Sequence, residues 1–210
     1  INAQASLVLS SEVVDHPAPQ PQEEDPRLGR QVGEVLMPQA SNCADQRLLF
    51  SFVTRRSGMG LSLGVDHTLD TTCAFTVDTT CAKGTGQVVF NVDAEPGQPI
   101  HLTKYITYHT SRSDKTDELK ARAVRTLDRV LTHGFDQLVK DQRAYLDDFW
   151  ERSDIQGGRT HPRAQQCIRW NLFQLLQAAG RADYAGVPAK GLTGQTYDGH
   201  YFWDMDMYML

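Results

Sequence analysis

The sequence has no long hydrophobic run, no excess of basic residues and few cysteines. No stretch approaches the roughly 20 consecutive apolar residues of a membrane-spanning helix, so we expect no association with a membrane. Lysines and arginines number 21 against 26 aspartates and glutamates, which gives a net charge of −5. Because nucleic-acid binding depends on basic residues that neutralise phosphates, we expect no nucleic-acid partner.

The four cysteines are Cys43, Cys73, Cys81 and Cys167. They include no C-x-x-C pair and are too sparse for a secreted disulfide scaffold. This pattern favours free thiols in a reducing compartment, and we therefore predict a cytoplasmic protein. A bridge between Cys73 and Cys81, on neighbouring strands, stays open as an alternative.

Three residues near the end of the chain come closest to a metal-binding pattern: His200, Asp204 and Asp206. In a helix the two aspartates would lie on different faces, and no second histidine is near. The sequence therefore predicts no metal site. The spacing also gives no argument for a Ser-His-Asp or Cys-His catalytic arrangement.

Apolar residues make up 40% of the chain, which is enough to build a buried core. The chain starts at Ile1 without an initiator methionine, and Met205–Leu210 have the pattern of a helix that has only begun. We therefore expect both ends to be cut from a longer polypeptide.

The segment from Gln46 to Ser111 alternates apolar and polar residues and predicts antiparallel strands. The strand patterns are QRLLFSFVT, TTCAFTVD, GQVVFNVD and QPIHLTKYITYHTS. Leu7–Leu9 is a further candidate strand, and the acidic, proline-rich residues 15–31 are expected to form an exposed loop. Since single strands need partners to be stable, we expect preceding polypeptide to supply the rest of a β-sandwich.

After Ser113 the apolar residues recur every three or four positions, which predicts helices. Ser113 or Thr116 is a candidate N-cap for the first helix, and Gly134 separates it from a second one. The apolar face of the first helix is Leu119, Ala123, Leu127 and Val130, and that of the second is Phe135, Leu138, Gln142, Tyr145 and Phe149.

A third helix is predicted to begin a new, helical domain. Thr160 or His161 caps it, Pro162 lies in its first turn and Gly180 ends it. Its apolar stripe is Ile168, Leu172, Leu175, Leu176 and Ala179. Strands followed by helices predict an α+β protein of several domains. We place part of a β-sandwich at 1–112, a helical linker at 113–158 and the truncated start of the helical domain at 159–210.

The glycine-rich segment VPAKGLTGQTYDGHYFWDMD lacks the spacing of a phosphate-binding loop. A tryptophan beside an aspartate suits sugar recognition, because the indole packs on the C–H face of a pyranose and the carboxylate accepts hydroxyl hydrogen bonds. Trp203 and Asp204 fit this pairing. In the alternative interpretation Trp203 fills the core and Asp204 caps the following helix.

Two segments, CIRWNLFQLLQAA and VPAKGLTGQTYDGHYFWDMDMYML, resemble the opening of the catalytic domain of glycoside hydrolase family 65. The family includes maltose, trehalose and kojibiose phosphorylases, and the resemblance covers roughly residues 100–210. It implies a large N-terminal β-sandwich, a helical linker and an (α/α)6 barrel, of which this chain holds the first helices. It also implies that Trp203 and Asp204 line the glucosyl subsite, with Phe202 and His200 beside them.

The resemblance further implies that no catalytic residue lies in this chain, since the general acid is a glutamate far downstream. The activity it implies is inverting phosphorolysis of an α-glucosidic disaccharide to β-glucose 1-phosphate. Inorganic phosphate is then the co-substrate, no cofactor is needed, and a homodimer is a possible assembly. The alternatives are hydrolysis of the same bond and a non-catalytic carbohydrate-binding or assembly module. We expect this piece to be inactive alone.

Overall fold

The structure, a computed structural model, describes residues 2–14, 35–111, 115–155, 162–179 and 202–203. The chain divides into two compact units, one of Ile1–Ala18 with Gly33–Val139 and one of Pro19–Val32 with Lys140–Leu210. Within the described ranges, no helix is both long enough and apolar enough to cross a membrane.

The first unit contains two antiparallel sheets. Strands β1, β6 and β5 form a three-stranded sheet in the order β1-β6-β5, and the others form a four-stranded sheet in the order β2-β3-β4-β7. The strands are β1 (Ala5–Val13), β2 (Leu36–Ala44), β3 (Arg47–Thr54), β4 (Gly60–Thr71), β5 (Phe75–Ala82), β6 (Thr85–Ala94) and β7 (Ile100–Ser111).

The hydrophobic core lies between the two sheets, as in a β-sandwich. Phe50 of β3 and Phe90 of β6 are among its largest fully buried side chains. Leu48 and Val65 also join this core, while Leu49, the next residue along β3, belongs to a second cluster. Because successive side chains on a strand point to opposite faces, β3 is buried on both faces, which explains its nearly continuous apolar sequence.

Three of the observed strands, β3, β6 and β7, confirm predicted strand patterns, and β1 contains the candidate Leu7–Leu9. The pattern TTCAFTVD is confirmed only in its second half, since β5 begins at Phe75. Two strands, β2 and β4, were not predicted. β2 lies at a sheet edge, carries Pro38 beside a shift in register and contains no β-branched or aromatic residue. The predicted loop at 15–31 lies outside the described residues.

Helix α1 (Thr116–Ser153) packs its first half on the four-stranded sheet. Leu119, Ala123 and Leu127 are buried, as the predicted stripe requires, and Leu127 clusters with Leu49 and Tyr105. The carbonyl of Lys115 accepts hydrogen bonds from the amides of Glu118 and Leu119 at 3.0 and 3.2 Å. Lys115 is therefore the N-cap and Thr116 the first helical residue, so the prediction of Thr116 as N-cap is wrong. The other candidate, Ser113, is not among the described residues.

Gly134 interrupts α1, as predicted, with a φ of 74° and a ψ of 164°. Leu138 packs against the Leu49 cluster, but Phe135 is 56% exposed. Gln142 and Tyr145 of the predicted apolar face are also exposed, and Phe149 is half-buried, because the period of a helix identifies an apolar face without identifying its partner.

Helix α2 (Pro162–Ala179) belongs to the second unit, as does the end of α1. Ile168, Leu172 and Leu176 are half-buried, whereas Leu175 is exposed. Arg169 of α2 forms an ion pair with Asp154, just after α1, and its guanidinium lies 5.7 Å from the ring centre of Trp150. The predicted caps and Gly180 lie outside the described part of the chain.

A disulfide joins Cys43 of β2 to Cys81 of β5, with 5.8 Å between their Cα atoms. It links the edge strands of the two sheets. The prediction of four free thiols is therefore wrong for these two residues, and the alternative pair Cys73–Cys81 is also wrong. Cys73 and Cys167 are free.

Candidate functional site

The predicted sugar-binding segment is only partly described. Phe202 and Trp203 fall within the described residues, whereas His200 and Asp204 do not. The Trp203 side chain is 78% exposed and that of Phe202 is 39% exposed. An exposed indole can present its face to a sugar ring, but the sugar-binding role of these four residues stays a prediction.

A second feature of the same unit is an open cavity of about 460 Å³ along α2. Its lining residues are Gln166, Cys167, Arg169, Trp170, Asn171 and Phe173. The rings of Trp170 and Phe173 lie 6.3 Å apart, and Trp170 is 59% exposed. Because Arg169 donates a hydrogen bond to Asp154, the pKa of that carboxyl lies below its usual value. The cavity thus combines aromatic faces with a fixed cation.

The first unit contains a larger cavity of about 600 Å³ beside the turn that joins β2 to β3. We call it the turn pocket. Its lining residues are Ala44, Asp45, Gln46, Arg47, Asp66, His67, Thr68, Leu69 and Leu131. They come from the turn, from β4 and from α1, so the pocket lies where the sheet meets the helix.

Arg47 links two carboxylates at the turn pocket. Its Nε donates to Asp66 Oδ2 at 2.6 Å, and its Nη1 lies 2.8 Å from Asp128 Oδ1. Asp66 is buried and also accepts a hydrogen bond from the amide of His67 at 2.8 Å. Since both of its oxygens are bonded, Asp66 fits the general rule that a buried charge is paired.

His67 is 3% exposed and is hydrogen-bonded through both ring nitrogens. Nδ1 donates to the carbonyl of Gln46 at 2.8 Å, since a carbonyl can only accept, and Nε2 lies 2.7 Å from Ser11 Oγ. Burial lowers the pKa of His67. A neutral ring satisfies this arrangement, with Nε2 accepting the hydroxyl hydrogen of Ser11.

Within the described ranges, no three His, Cys, Asp or Glu side chains lie close enough together to hold a metal ion. The sequence analysis did not single out Arg47, Asp66 or His67. The sequence does carry a signal for Asp66 and His67, which form a pair of ionisable residues in the middle of an otherwise alternating apolar strand, LSLGVDHTLD. Such residues in a strand that is buried on both faces must find partners in the interior.

Two family models match the chain. Residues 1–149 match the N-terminal domain of glycosyl hydrolase family 65, and residues 169–210 match the central catalytic domain of the same family. The resemblance found in the sequence is thereby confirmed, and it extends to the sandwich that precedes the motifs.

Individual relatives agree with the family models. An uncharacterized glycosyl hydrolase of Mycobacterium tuberculosis is 30% identical over the whole chain, which spans 26% of that protein. The alpha,alpha-trehalose phosphorylase of Thermoanaerobacter brockii is 34% identical over 75% of the chain and 20% of its own length. The chain therefore spans about a quarter or less of the length of these relatives.

One solved structure, a candidate kojibiose phosphorylase from the human microbiome, has a similar fold. It superposes with a TM-score of 0.78 over 97% of this chain and 25% of its own, at 20% sequence identity. Together with the sheets and helices described above, this likeness confirms the predicted fold class. That class is an antiparallel β-sandwich followed by linker helices and the first helices of a helical barrel.

Proposed function

Because the chain belongs to glycosyl hydrolase family 65, we propose that it is part of a longer enzyme that cleaves an α-glucosidic disaccharide with inorganic phosphate. The observation that supports this most is the match of one chain to both the N-terminal and the central catalytic domain of the family. A relative that aligns with three quarters of the chain at 34% identity is a trehalose phosphorylase, and this likeness favours phosphate as the nucleophile.

The proposed reaction inverts the anomeric carbon and releases β-glucose 1-phosphate. An inverting hydrolase needs one carboxylic acid to protonate the leaving oxygen and a second carboxylate to activate water. Phosphate is already a nucleophile, so one general acid suffices. In this proposal that acid and the phosphate site are supplied by residues beyond this chain, and no cofactor takes part.

Within this chain, Trp203 and Asp204 contribute to the glucosyl subsite, with Phe202 and His200 beside them. The exposure of the Trp203 indole supports this part of the proposal, since a stacking platform must be accessible. We retain residues 1–112, 113–158 and 159–210 as the sandwich, the linker and the start of the barrel. We also retain a possible homodimer. The cytoplasmic location was predicted from four free thiols, and the Cys43–Cys81 disulfide removes that argument, because structural disulfides are rare in a reducing cytosol.

The proposal is tested with the intact enzyme, trehalose or kojibiose, and phosphate at varied concentration. Phosphorolysis requires a rate that rises with phosphate and saturates, with β-glucose 1-phosphate as the early product in proton NMR spectra. Hydrolysis of the same bond is the alternative that this test separates from phosphorolysis. A phosphate-independent rate that releases only free sugar would establish hydrolysis instead.

The subsite is tested by Asp204→Ala in the intact enzyme, with Asp206→Ala as the matched control. Loss of hydrogen bonds to the glucosyl hydroxyls is expected to lower kcat/KM by about 10²-fold or more for Asp204→Ala. The control is expected to change it little. Near-normal kinetics with only a lower melting temperature would assign Asp204 a structural role.

A further inference from the structure

We propose that the turn pocket of the sandwich is a second binding site, whose ligand is a neutral, sugar-sized polyhydroxylated molecule. The pocket lies in the first unit and contains none of the residues proposed for the glucosyl subsite. Its volume of about 600 Å³ falls within the range of roughly 300–1,000 Å³ that is typical of small-molecule sites.

The turn residues Asp45 and Gln46, which form the rim of the turn pocket, are held in place by hydrogen bonds within the protein. The carbonyl of Asp45 accepts a hydrogen bond from Thr79 Oγ1, and the carbonyl of Gln46 accepts one from His67 Nδ1. Asp45 has a φ of 53°, in the left-handed region that aspartate tolerates better than most residues. Since these bonds fix the backbone of the turn, a ligand does not have to order it, which favours binding.

The guanidinium of Arg47 is also preorganised. It is ion-paired with Asp66 on β4 and with Asp128 on α1, and it lines the pocket with 26% of its side chain exposed. Asp66 and His67 behind it are buried and fully engaged by protein partners. Asp66 and His67 are therefore held rigidly. The polar groups open to a ligand are those of Asp45, Gln46 and Thr68.

The chemistry of the lining suits a sugar. Thr68 and Asp45 are exposed and supply a hydroxyl and a carboxylate, and Gln46 supplies an amide. Leu69 and Leu131 supply apolar surface against which C–H groups can pack. A few polar groups that both donate and accept, set beside apolar surface, match a molecule with many hydroxyls and no charge.

The charges at the turn pocket oppose an anionic ligand. Asp45, Asp66 and Asp128 carry three negative charges, against two positive charges, those of Arg47 and of Lys104, which acts on His67 from the neighbouring strand. Burial lowers the pKa of His67, so this ring adds no positive charge at neutral pH. Inorganic phosphate and sugar phosphates are therefore repelled, in contrast to an uncharged disaccharide.

Hydrogen exchange of the full-length protein, read by mass spectrometry, tests the site locally. Trehalose and kojibiose are the probes, a choice that rests on the proposed function, and inorganic phosphate is the anionic comparison. We expect either sugar to protect residues 44–47 and 66–69, and phosphate to leave both segments unchanged. Peptides covering 199–204 report on the proposed glucosyl subsite, so failure at one site is distinguishable from failure at the other.

A double variant, Asp45→Asn with Thr68→Val, removes a charge-assisted acceptor and a hydroxyl while keeping Arg47, Asp66 and His67. It is expected to weaken the protection of 44–47 and 66–69 by about tenfold in sugar concentration. The matched control, Asp93→Asn with Thr76→Val, changes two exposed residues of the other sheet and is expected to have no effect.

Three outcomes would overturn the proposal. They are the absence of sugar protection at the turn pocket in the wild type, equal protection in the double variant, and protection by phosphate. None of them depends on turnover, so an inactive preparation that is folded still gives an answer.

Discussion

Removing the Cys43–Cys81 disulfide is expected to lower the unfolding free energy of the sandwich by about 4 kcal/mol. The two cysteines are separated by 38 positions in sequence and join the edge strands of opposite sheets. In the unfolded chain the bridge closes a loop of that length, and the loss of loop entropy grows with the logarithm of loop length. A loop of this size lies between the roughly 3 kcal/mol of a 15-residue loop and the roughly 4.7 kcal/mol of a 100-residue loop.

The folded state is expected to change little when the bridge is removed. The same two edges are also held by the Thr79 Oγ1 bond to the Asp45 carbonyl and by the amide of Gly84, which donates to Ser41 Oγ at 3.2 Å. These bonds remain in a Cys43→Ser, Cys81→Ser variant. The destabilisation therefore comes chiefly from the greater freedom of the unfolded chain.

Native-state hydrogen exchange of the intact protein measures the effect in this domain alone. A loss of about 4 kcal/mol raises the exchange rate of the slowest amides of β3 and β6 by about a thousandfold. Reduction of the wild type should match the double variant, and Cys167→Ser, at an exposed free cysteine, should change nothing. Unchanged exchange after full reduction would refute the entropic reasoning. Labelling of Cys43 and Cys81 by a thiol reagent in the unreduced, denatured protein, located by mass spectrometry, would show that the bridge is absent.

Three further predictions concern the sandwich and α1. Gly64→Ala should lower the unfolding free energy by about 1–3 kcal/mol, because the added Cβ would lie 2.9 Å from Leu127 Cδ1. The melting temperature should fall accordingly, and an unchanged melting temperature would contradict this. Gly134→Ala should cost a similar 1–3 kcal/mol, because a φ of 74° with a ψ of 164° is nearly restricted to glycine; urea unfolding checks it. The stability of the sandwich should fall as pH drops below about 6.5, since burial lowers the pKa of His67 and the unfolded state then binds a proton that the folded state does not. His67→Gln should flatten this pH dependence. His109 is half-buried and partial burial also lowers its pKa, so His109→Gln measures the contribution of a second histidine.

Sequence reasoning found β3, β6 and β7 but passed over β4, in which a histidine breaks the alternation and the polar face carries a glycine and a charge. Leu61, Leu63, Val65 and Leu69 lie on one face of β4 with His67, and Gly64 and Asp66 lie on the other. Gly64 is there because Leu127 of α1 lies against its backbone. The requirement comes from a helix about sixty positions later, so no local pattern could reveal it.

The contacts of Arg47 at the turn pocket could not be found from the sequence, for a related reason. Arg47 contacts Asp66 and Asp128, which are 19 and 81 positions away in the sequence by their numbers. An isolated arginine at the start of a strand is ordinarily a solvated residue. Only the fold shows that it is half-enclosed and ion-paired on two sides.

The cysteines were misjudged because their spacing carries no information about sheet edges. The sequence analysis compared them with motifs that bind metals or exchange disulfides, and Cys43 and Cys81 match neither. Their proximity follows from the order of strands within the two sheets, in which β2 and β5 both lie at an edge. With β2 not predicted as a strand, the pairing could not be reached.

For Trp203, in contrast, the sequence suggested a role that the structure alone does not establish. Residue types allowed two interpretations, a sugar platform and a core side chain, and the resemblance to the family favoured the first. An indole that is 78% exposed fills no core in the described part of the chain, yet exposure alone does not make a residue bind sugar. Kinetics can separate these two interpretations. Substitution of a subsite residue changes kcat/KM, whereas substitution of a residue needed only for folding changes the melting temperature. The comparison of Asp204→Ala with Asp206→Ala applies this distinction to the residue beside Trp203.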